Sequence, residues 1–178
     1  MWSPEFRLAL QAGRHASGKL DSLPDYQEVD WDRFLVLVRR HRIQGLVFHA
    51  LVQLQAPMPK RVAEQLARDA DTIVSGNLHA ASACKRIDRA FRDAGQPLLF
   101  IKGLTLASLA YSNPFLKMSW DIDVLVDPRS IEPASQILTG LGYRLVIPRG
   151  QVVQWHRHRK ESVWQGPDGT TVELHGRL

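Results

Sequence analysis

Two aspartates, Asp121 and Asp123, are the residues whose types and spacing most directly suggest chemistry in this sequence. They lie in the run 119–128, where apolar and acidic residues alternate, and such alternation predicts a β-strand. Side chains two positions apart on a strand point to the same side, with their Cβ atoms about 6–7 Å apart. Carboxylates at that distance can bind one divalent cation or two neighbouring ones, although an acidic strand face in solvent has the same pattern.

A third carboxylate, Glu173, lies on a second predicted strand. Residues 161–175 predict a β-hairpin, because two alternating runs flank a Gly-Pro-Asp-Gly turn at 166–169. In the second strand of this hairpin, Val172 and Leu174 face one side. The other side carries Thr171, Glu173 and His175. We expect Glu173 to meet the two aspartates, because an acid among apolar strand residues is unusual.

A candidate phosphate-binding element precedes the aspartates. Residues 96–101 form a short apolar run that is typical of a strand buried on both faces. Lys102 and Gly103 come next, followed by a predicted helix over residues 104–111. The free N–H groups at a helix start attract phosphate oxygens, and Lys102 adds a positive charge. The same Lys-Gly pair also fits an ordinary turn between a strand and a helix.

Together, three carboxylates on two strands beside a glycine-led helix start fit phosphoryl or nucleotidyl transfer by a two-metal mechanism. In this interpretation Asp121 and Asp123 bind two Mg²⁺ ions. Glu173 completes the coordination of the ion near the nucleophile and is a candidate acceptor for the proton of the attacking hydroxyl. Mg²⁺ is favoured over Zn²⁺ because the sequence offers no thiolate set and no paired imidazole set for zinc.

The elements that position these residues predict an α+β fold. Residues 1–95 are dominated by helical patterns, with Ser3 and Asp30 as N-caps and a polar linker over residues 19–28. Residues 96–178 alternate predicted strands and helices. We therefore predict a helical N-terminal region over residues 1–95 and a second domain over residues 96–178. Helices are predicted from Pro4 to between Gly13 and Gly18, and over 31–41, 43–54, 60–94, 104–111 and 130–141, and a further strand over 143–147.

Two clusters of basic residues indicate a different function, the binding of nucleic acid. Residues 39–42 and 156–160 are rich in Arg, Lys and His, and either cluster can meet a phosphate backbone. If residues 151–160 are extended, His156 and His158 share a face and could bind a metal or a phosphate. A basic rim for the second cluster, and a solvated helix end for the first, explain the same residues without a ligand.

Composition narrows the class of protein. The chain has 178 residues, 44% hydrophobic and 23% charged, which are ordinary values for a globular protein. The net charge of +5 weakly favours a phosphate-bearing partner. Cys84 is the single cysteine, so an intrachain disulfide is excluded and a reducing compartment is favoured. With no apolar run long enough for a membrane span and no signal pattern, we expect a cytoplasmic protein without a membrane partner.

Several of these segments also resemble a known family. They are residues 98–126, ending in Asp-Ile-Asp-Val-Leu-Val, residues 170–175, residues 29–32 (Val-Asp-Trp-Asp) and residues 40–43 (Arg-His-Arg-Ile). In combination they are similar to the uncharacterised nucleotidyltransferase family of the DNA polymerase beta superfamily, over nearly the whole chain. The resemblance implies a helical N-terminal part and a nucleotidyltransferase core with a mixed β-sheet flanked by helices.

The resemblance also implies roles for single residues. Asp121, Asp123 and Glu173 are implied as catalytic and metal-binding residues, and Lys102 and Gly103 as triphosphate-binding residues. Members tend to carry Arg where this chain has Lys117, so Lys117 keeps a positive charge near the nucleotide but lacks the bidentate fork of Arg. They tend to carry a small residue in place of Trp120, which we expect to narrow the site.

Three functions remain open from the sequence. The first is a Mg²⁺-dependent enzyme that moves a nucleoside monophosphate from an NTP such as ATP to a hydroxyl of an unidentified acceptor, which is a small molecule, a protein or RNA. The second is a catalytically inactive nucleotide-binding module. The third is a basic nucleic-acid-binding protein. Relatives usually continue beyond the third acid, which leaves room for a further domain or a partner chain that contacts the acceptor.

Overall fold

The computed structural model describes residues 2–18, 28–111, 113–119, 121–146 and 151–178. The chain divides into two compact units. The first comprises Met1–Asn77 and Leu106–Met118, and the second comprises Leu78–Thr105 and Ser119–Leu178. The domain boundary that we placed between residues 95 and 96 remains a prediction. Among the described residues, none of the helices combines the length and the apolar composition that crossing a bilayer requires.

The first unit is helical, as the sequence predicts. Ser3 caps the first helix by accepting a hydrogen bond from the N–H of Phe6, and Asp30 caps the second through the N–H groups of Asp32 and Arg33. The linker predicted over residues 19–28 lies almost wholly outside the described residues. The apolar faces pack into one core that includes Leu8, Phe34, Val38, Leu51 and Leu66. The helices are α1 (Pro4–Ala16), α2 (Trp31–Arg40), α3 (Gln44–Gln53) and the first part of α4 (Lys60–Asp93).

Gly45 in α3 lies at a position that has no space for a side chain. A Cβ atom at Gly45 would overlap the backbone carbonyl oxygen of Leu116, which lies in the short 3-10 helix Pro114–Leu116 of the same unit. The buried side chain of Asn77 holds the same segment by donating to the carbonyl oxygens of Phe115 and Lys117, at 2.8 and 2.9 Å. Two independent features therefore fix residues 114–117 against the helices of the first unit.

We expect Gly45→Ala to lower the free energy of unfolding by about 1–2 kcal/mol, because the added methyl overpacks against a backbone atom that cannot move alone. The matched control is Gly76→Ala in α4, where a Cβ atom meets nothing within 4 Å. The control should gain about 0.5–1 kcal/mol from helix propensity. Urea titrations monitored by circular dichroism compare the two variants, and a stabilised Gly45→Ala protein would contradict the close approach.

The second unit is built on a five-stranded sheet with the order β1-β2-β5-β4-β3. The β2–β5 pair is parallel, whereas β1–β2, β3–β4 and β4–β5 are antiparallel. A mixed sheet with flanking helices confirms the α+β prediction. The strands are β1 (Leu99–Phe100), β2 (Ile122–Leu125), β3 (Arg144–Leu145), β4 (Glu161–Gln165) and β5 (Thr171–His175).

One face of the sheet carries the core of the second unit. Ile122, Val124, Val172, Leu174 and Trp164 are buried there, as the alternation in β2 and β5 predicts. They pack with apolar residues of the last turns of α4 and of two further helices. Because this face takes the apolar side chains, the alternate residues of β2, β5 and β4 point to the opposite, polar face. These two helices are α6 (Ile131–Gly140) and α7 (Val152–His158). Helix α5 (Gly103–Ala110) contributes only its first residues, Gly103–Thr105, to the second unit.

Two local expectations are wrong. Residues 96–101 do not form a strand buried on both faces, because β1 lies at the edge of the sheet and Leu99 is 58% exposed. Residues 152–158 are helical rather than extended, so the side chains of His156 and His158 point about 160° apart around α7 and do not share a face. The strand predicted over residues 143–147 is short, and Ile147 lies outside the described residues.

Candidate functional site

The parallel register between β2 and β5 brings two of the predicted acids together. Asp123 is the partner of Glu173, and Leu125 is the partner of His175. In the next pair along the sheet, His175 is the partner of Glu161 on β4. Cross-strand partners point to the same face, so these side chains form one polar group on the side opposite the core.

Asp123 is the most enclosed member of this group. Its side chain is only 2% exposed, and its Oδ1 atom accepts a hydrogen bond from Nζ of Lys102 at 2.7 Å. Nε2 of His175 lies 3.0 Å from the same oxygen, and the His175 side chain is itself 5% exposed. A buried carboxylate is stable only when it is paired, and here two basic side chains from different elements meet one oxygen.

His175 lies among three carboxylates. Its Nε2 atom is 3.6 Å from Oε2 of Glu173, and its Nδ1 atom is 3.5 Å from Oε2 of Glu161. The imidazole therefore contacts acids on β2, β5 and β4. This arrangement fixes the ring between the strands and leaves both nitrogens facing acidic groups.

Negative charge is concentrated at Glu173. Partial burial raises the pKa of its carboxyl, and the charges of Asp121, Glu161 and Asp123 raise it further, while Lys102 acts in the opposite direction. The hydrogen bond to Asp123 raises the pKa of Lys102. The polar face therefore holds carboxylates that repel one another and that a bound cation would stabilise.

A small pocket places Asp121 beside the helix start. It is lined by Lys102, Gly103, Ser119, Asp121 and Asp123, together with neighbouring apolar residues. Gly103 begins α5 with a φ of +57°, a backbone conformation that favours glycine, and a Cβ atom there would come within 2.7 Å of the Ser119 hydroxyl. That hydroxyl donates a hydrogen bond to the carbonyl of Asp121 at 3.0 Å.

The donor atoms fit a divalent cation. Asp123, Glu173 and His175 each offer one ligand atom, and these atoms all lie within 4.8 Å of one another. Two carboxylate oxygens and an imidazole nitrogen are ordinary ligands for divalent metals. Asp121 is not part of this close set, although it shares the small pocket with Asp123 and its charge acts on Glu173.

Lys117 and Trp120 are the remaining residues for which the sequence predicts a place at the site. Lys117 belongs to the first unit, where its ammonium group donates to the carbonyl of Met118 at 3.4 Å. Burial lowers the pKa of Lys117, and the nearby charge of Arg42 lowers it further. Its contact with a nucleotide remains a prediction. Trp120, which we expect to narrow the site, lies outside the described residues.

Sequence reasoning gave no role to His175 or Glu161. The alternation in residues 170–175 does place His175 on the face of Glu173, and that shared face is the signal that identifies it. Glu161 carries no comparable signal, because its position opposite His175 depends on the register of the β4–β5 hairpin.

We expect Glu173→Gln to raise the free energy of unfolding at pH 7 in the presence of a chelator. The pKa of Glu173 is higher in the folded state than in the unfolded chain, so folding loses stability as the pH rises and this carboxyl ionises. The neutral amide removes that loss, and the gain should disappear below about pH 4, where the wild-type carboxyl is protonated in both states. Urea titrations at both pH values measure the effect.

Glu132→Gln, which neutralises an exposed acid on α6, is the control and should change stability by no more than about 0.5 kcal/mol. A Glu173→Gln protein that is less stable than wild type at pH 7 would show that the carboxylates do not repel one another.

Cys84, which also lines the small pocket, should be a slow nucleophile. Burial raises the pKa of its thiol to about 11, so only about one thiol in a thousand is ionised at pH 8. We expect the rate of alkylation by iodoacetamide to rise about tenfold per pH unit between pH 8 and 10. In urea the rate should level off above about pH 9, as for an ordinary thiol. A plateau near pH 9 in the folded protein would contradict the burial of this side chain.

The chain was compared with models of known protein families. A family model described as an uncharacterised nucleotidyltransferase matches residues 27–178. The matched range includes the strands that carry Asp123, Glu173 and His175, and the helix start at Gly103. No curated protein and no solved structure matches the chain.

Proposed function

This chain belongs to that uncharacterised nucleotidyltransferase family, and from this premise we propose that it transfers a nucleoside monophosphate from an NTP to a hydroxyl acceptor. The observation that carries the proposal is the meeting of Asp123 and Glu173 on neighbouring parallel strands, with His175 between them and Lys102 beside them. The resemblance to the DNA polymerase beta superfamily supports the same reaction.

We assign the metal site to Asp121, Asp123 and Glu173, with two Mg²⁺ ions as the expected cofactor. Asp123 and Glu173 offer ligand atoms at close range, and Asp121 lies in the adjoining pocket. His175 contacts Asp123 at 3.0 Å and therefore positions this carboxylate, while its nitrogen remains a potential ligand. When bound, the ions would supply Lewis-acid stabilisation of the charge on the reacting phosphate and on the leaving group.

We assign phosphate binding to the start of α5. Lys102 and Gly103 line the pocket next to Asp121 and Asp123, and the free N–H groups of the first helical turn attract anions. Lys102 neutralises Asp123 in the structure, and its ammonium group is within the same pocket that the phosphates would enter. Lys117 is a further candidate for a nucleotide contact.

The reaction follows from these assignments. The acceptor oxygen attacks the α-phosphorus, a new P–O bond forms, and the bond between the α-phosphorus and the bridging oxygen of the β-phosphate breaks. Pyrophosphate leaves with the electron pair of that bond. The proton of the acceptor hydroxyl passes to a carboxylate, for which Glu173 is our candidate. The chain's own contribution is to place the reacting groups and to hold charge near them.

Binding of a non-hydrolysable NTP analogue tests this proposal. In the presence of Mg²⁺, Asp123→Asn and Glu173→Gln should each weaken binding by about tenfold or more, because each removes a metal ligand. Isothermal titration calorimetry measures the affinity, and EDTA should abolish the difference between the variants.

Asp127→Asn is the matched control. Asp127 is exposed just beyond β2, where its side chain caps the N–H of Arg129, and Asn is an equally good cap. This variant should bind the analogue within about twofold of wild type. Binding that survives both Asp123→Asn and EDTA would contradict the proposal. If analogue binding requires the acids, but hydrolysable NTPs release no pyrophosphate when a cell extract is added as the source of acceptor, the result would instead support an inactive nucleotide-binding module.

A further inference from the structure

A groove of about 520 Å³ lies in the second unit beside β4. Such a volume is typical of pockets that bind small ligands or the end of a larger one. Its lining includes His158, the cations Arg159 and Lys160, the ring of Trp155, and Glu161 and Val163 of β4.

The groove adjoins the carboxylates on the side away from Lys102. Val163 is the cross-strand partner of Glu173, and Glu161 is the partner of His175, so the groove begins one strand beyond the acids. Neighbouring strands are about 4.8 Å apart. Lys102 lies at the other side of the carboxylates, directly after the edge strand β1.

This order matters for the transfer reaction. The attacking oxygen and the leaving oxygen lie on opposite sides of the phosphorus, roughly in line. If the NTP phosphates bind at Lys102 and Gly103, the acceptor hydroxyl has to approach from the β4 side. The groove is therefore placed where the acceptor arrives.

The charged side chains of the groove indicate which kind of acceptor it can bind. The side chains of His158, Arg159 and Lys160 are exposed, and none of them forms an ion pair with a carboxylate in the part of the chain that the structure describes. The guanidinium group of Arg159 lies 5.6 Å from the centre of the Trp155 ring, which holds it at the groove. Glu161 is the acid of this lining, and its carboxylate faces His175.

The helix dipole explains part of this pattern but not all of it. His158 is in the last turn of α7, where a cation is favoured without any ligand. Arg159 and Lys160 follow the helix and line the groove together. Arginine and lysine side chains that form no ion pair with a carboxylate of the described residues are suited to phosphate oxygens.

We propose that this groove binds phosphate groups of the acceptor, so that the hydroxyl acceptor is a phosphate-bearing molecule. The shared chemistry is phosphate, carried either by the end of a single-stranded nucleic acid or by a small phosphorylated alcohol. The proposal rests on the proposed function for the transfer step, but the binding itself does not require the metal or the NTP.

The test measures binding of a fluorescein-labelled six-nucleotide RNA with a free 3′-hydroxyl, in EDTA and without NTP. Wild type should bind it with an affinity that falls as salt rises, and the double variant Arg159→Ala/Lys160→Ala should bind at least about tenfold more weakly. The double variant should also lower the slope of log affinity against log salt by about 1.4, or about 0.7 for each lost phosphate contact.

Arg157→Ala is the matched control, because it removes an exposed cation from α7 that does not line the groove. It should bind the RNA within about twofold of wild type. Binding of glycerol 3-phosphate is measured directly by isothermal titration calorimetry, and the compound is then added to the RNA complex as a competitor. Displacement of the RNA at millimolar concentration identifies a small phosphorylated acceptor, and failure to displace it identifies a nucleic-acid end.

The inference is overturned if neither probe binds, or if the double variant binds like Arg157→Ala. Asp123→Asn separates this outcome from the proposed function. It should lose Mg²⁺-dependent NTP binding and keep RNA binding in EDTA, whereas the groove variant should do the opposite. If Asp123→Asn behaves as expected and the groove variant still binds RNA, the transfer function stands and the acceptor assignment is wrong.

Discussion

A carboxylate buried in a β-sheet has to be balanced by positive charge, and the second unit is arranged around that requirement. Asp123 is almost fully enclosed, and an unpaired ion in such a place costs several kcal/mol. Lys102, just before α5, and His175, at the end of β5, both reach its Oδ1 atom. Contacts of this one oxygen atom on β2 thereby link β2 to the segment that follows β1 and to β5.

This balance also limits what Lys102 can do. Its ammonium group is 2.7 Å from the Asp123 oxygen, so in the structure it serves as the counter-ion of the carboxylate. On the proposed function, the same group is needed at the phosphates of the nucleotide. The two tasks are compatible if a bound cation neutralises Asp123, because Lys102 is then released for the ligand. On the proposed function, Lys102 therefore competes with the cation for Asp123, and this competition would raise the concentration of free metal that the site requires.

Local sequence patterns account for most of the elements and for part of the site. The N-caps at Ser3 and Asp30 and the alternation in β2 and β5 are short-range signals, and the structure has them as predicted. The parallel pairing of Asp123 with Glu173 joins residues 50 positions apart, and no local pattern specifies it. The burial of His175 follows from that pairing, and the position of Glu161 follows from the register of the β4–β5 hairpin, so both escaped prediction.

Helix α7 was missed for a related reason. Its seven residues are too few to be stable alone, and they contain only one pair of apolar residues at helical spacing, Val152 and Trp155. Contacts with β4 hold it in place: Trp155 donates from its indole N–H to the carbonyl of Glu161 at 2.9 Å, and His156 pairs with the Ser162 hydroxyl at the same distance. Tertiary packing overrides a weak local preference here.

The order of the strands has a consequence for folding. Strand β5 lies between β2 and β4, although it follows both along the chain. The β4–β5 hairpin can form early because its contacts are local, but its docking onto β2 closes a long loop and has to wait for β5 to be made. That docking step both completes the sheet and brings Glu173 to Asp123. Asp123 and Glu173 therefore come together in the same step that completes the sheet. The complete sheet cannot form without also bringing these two acids together.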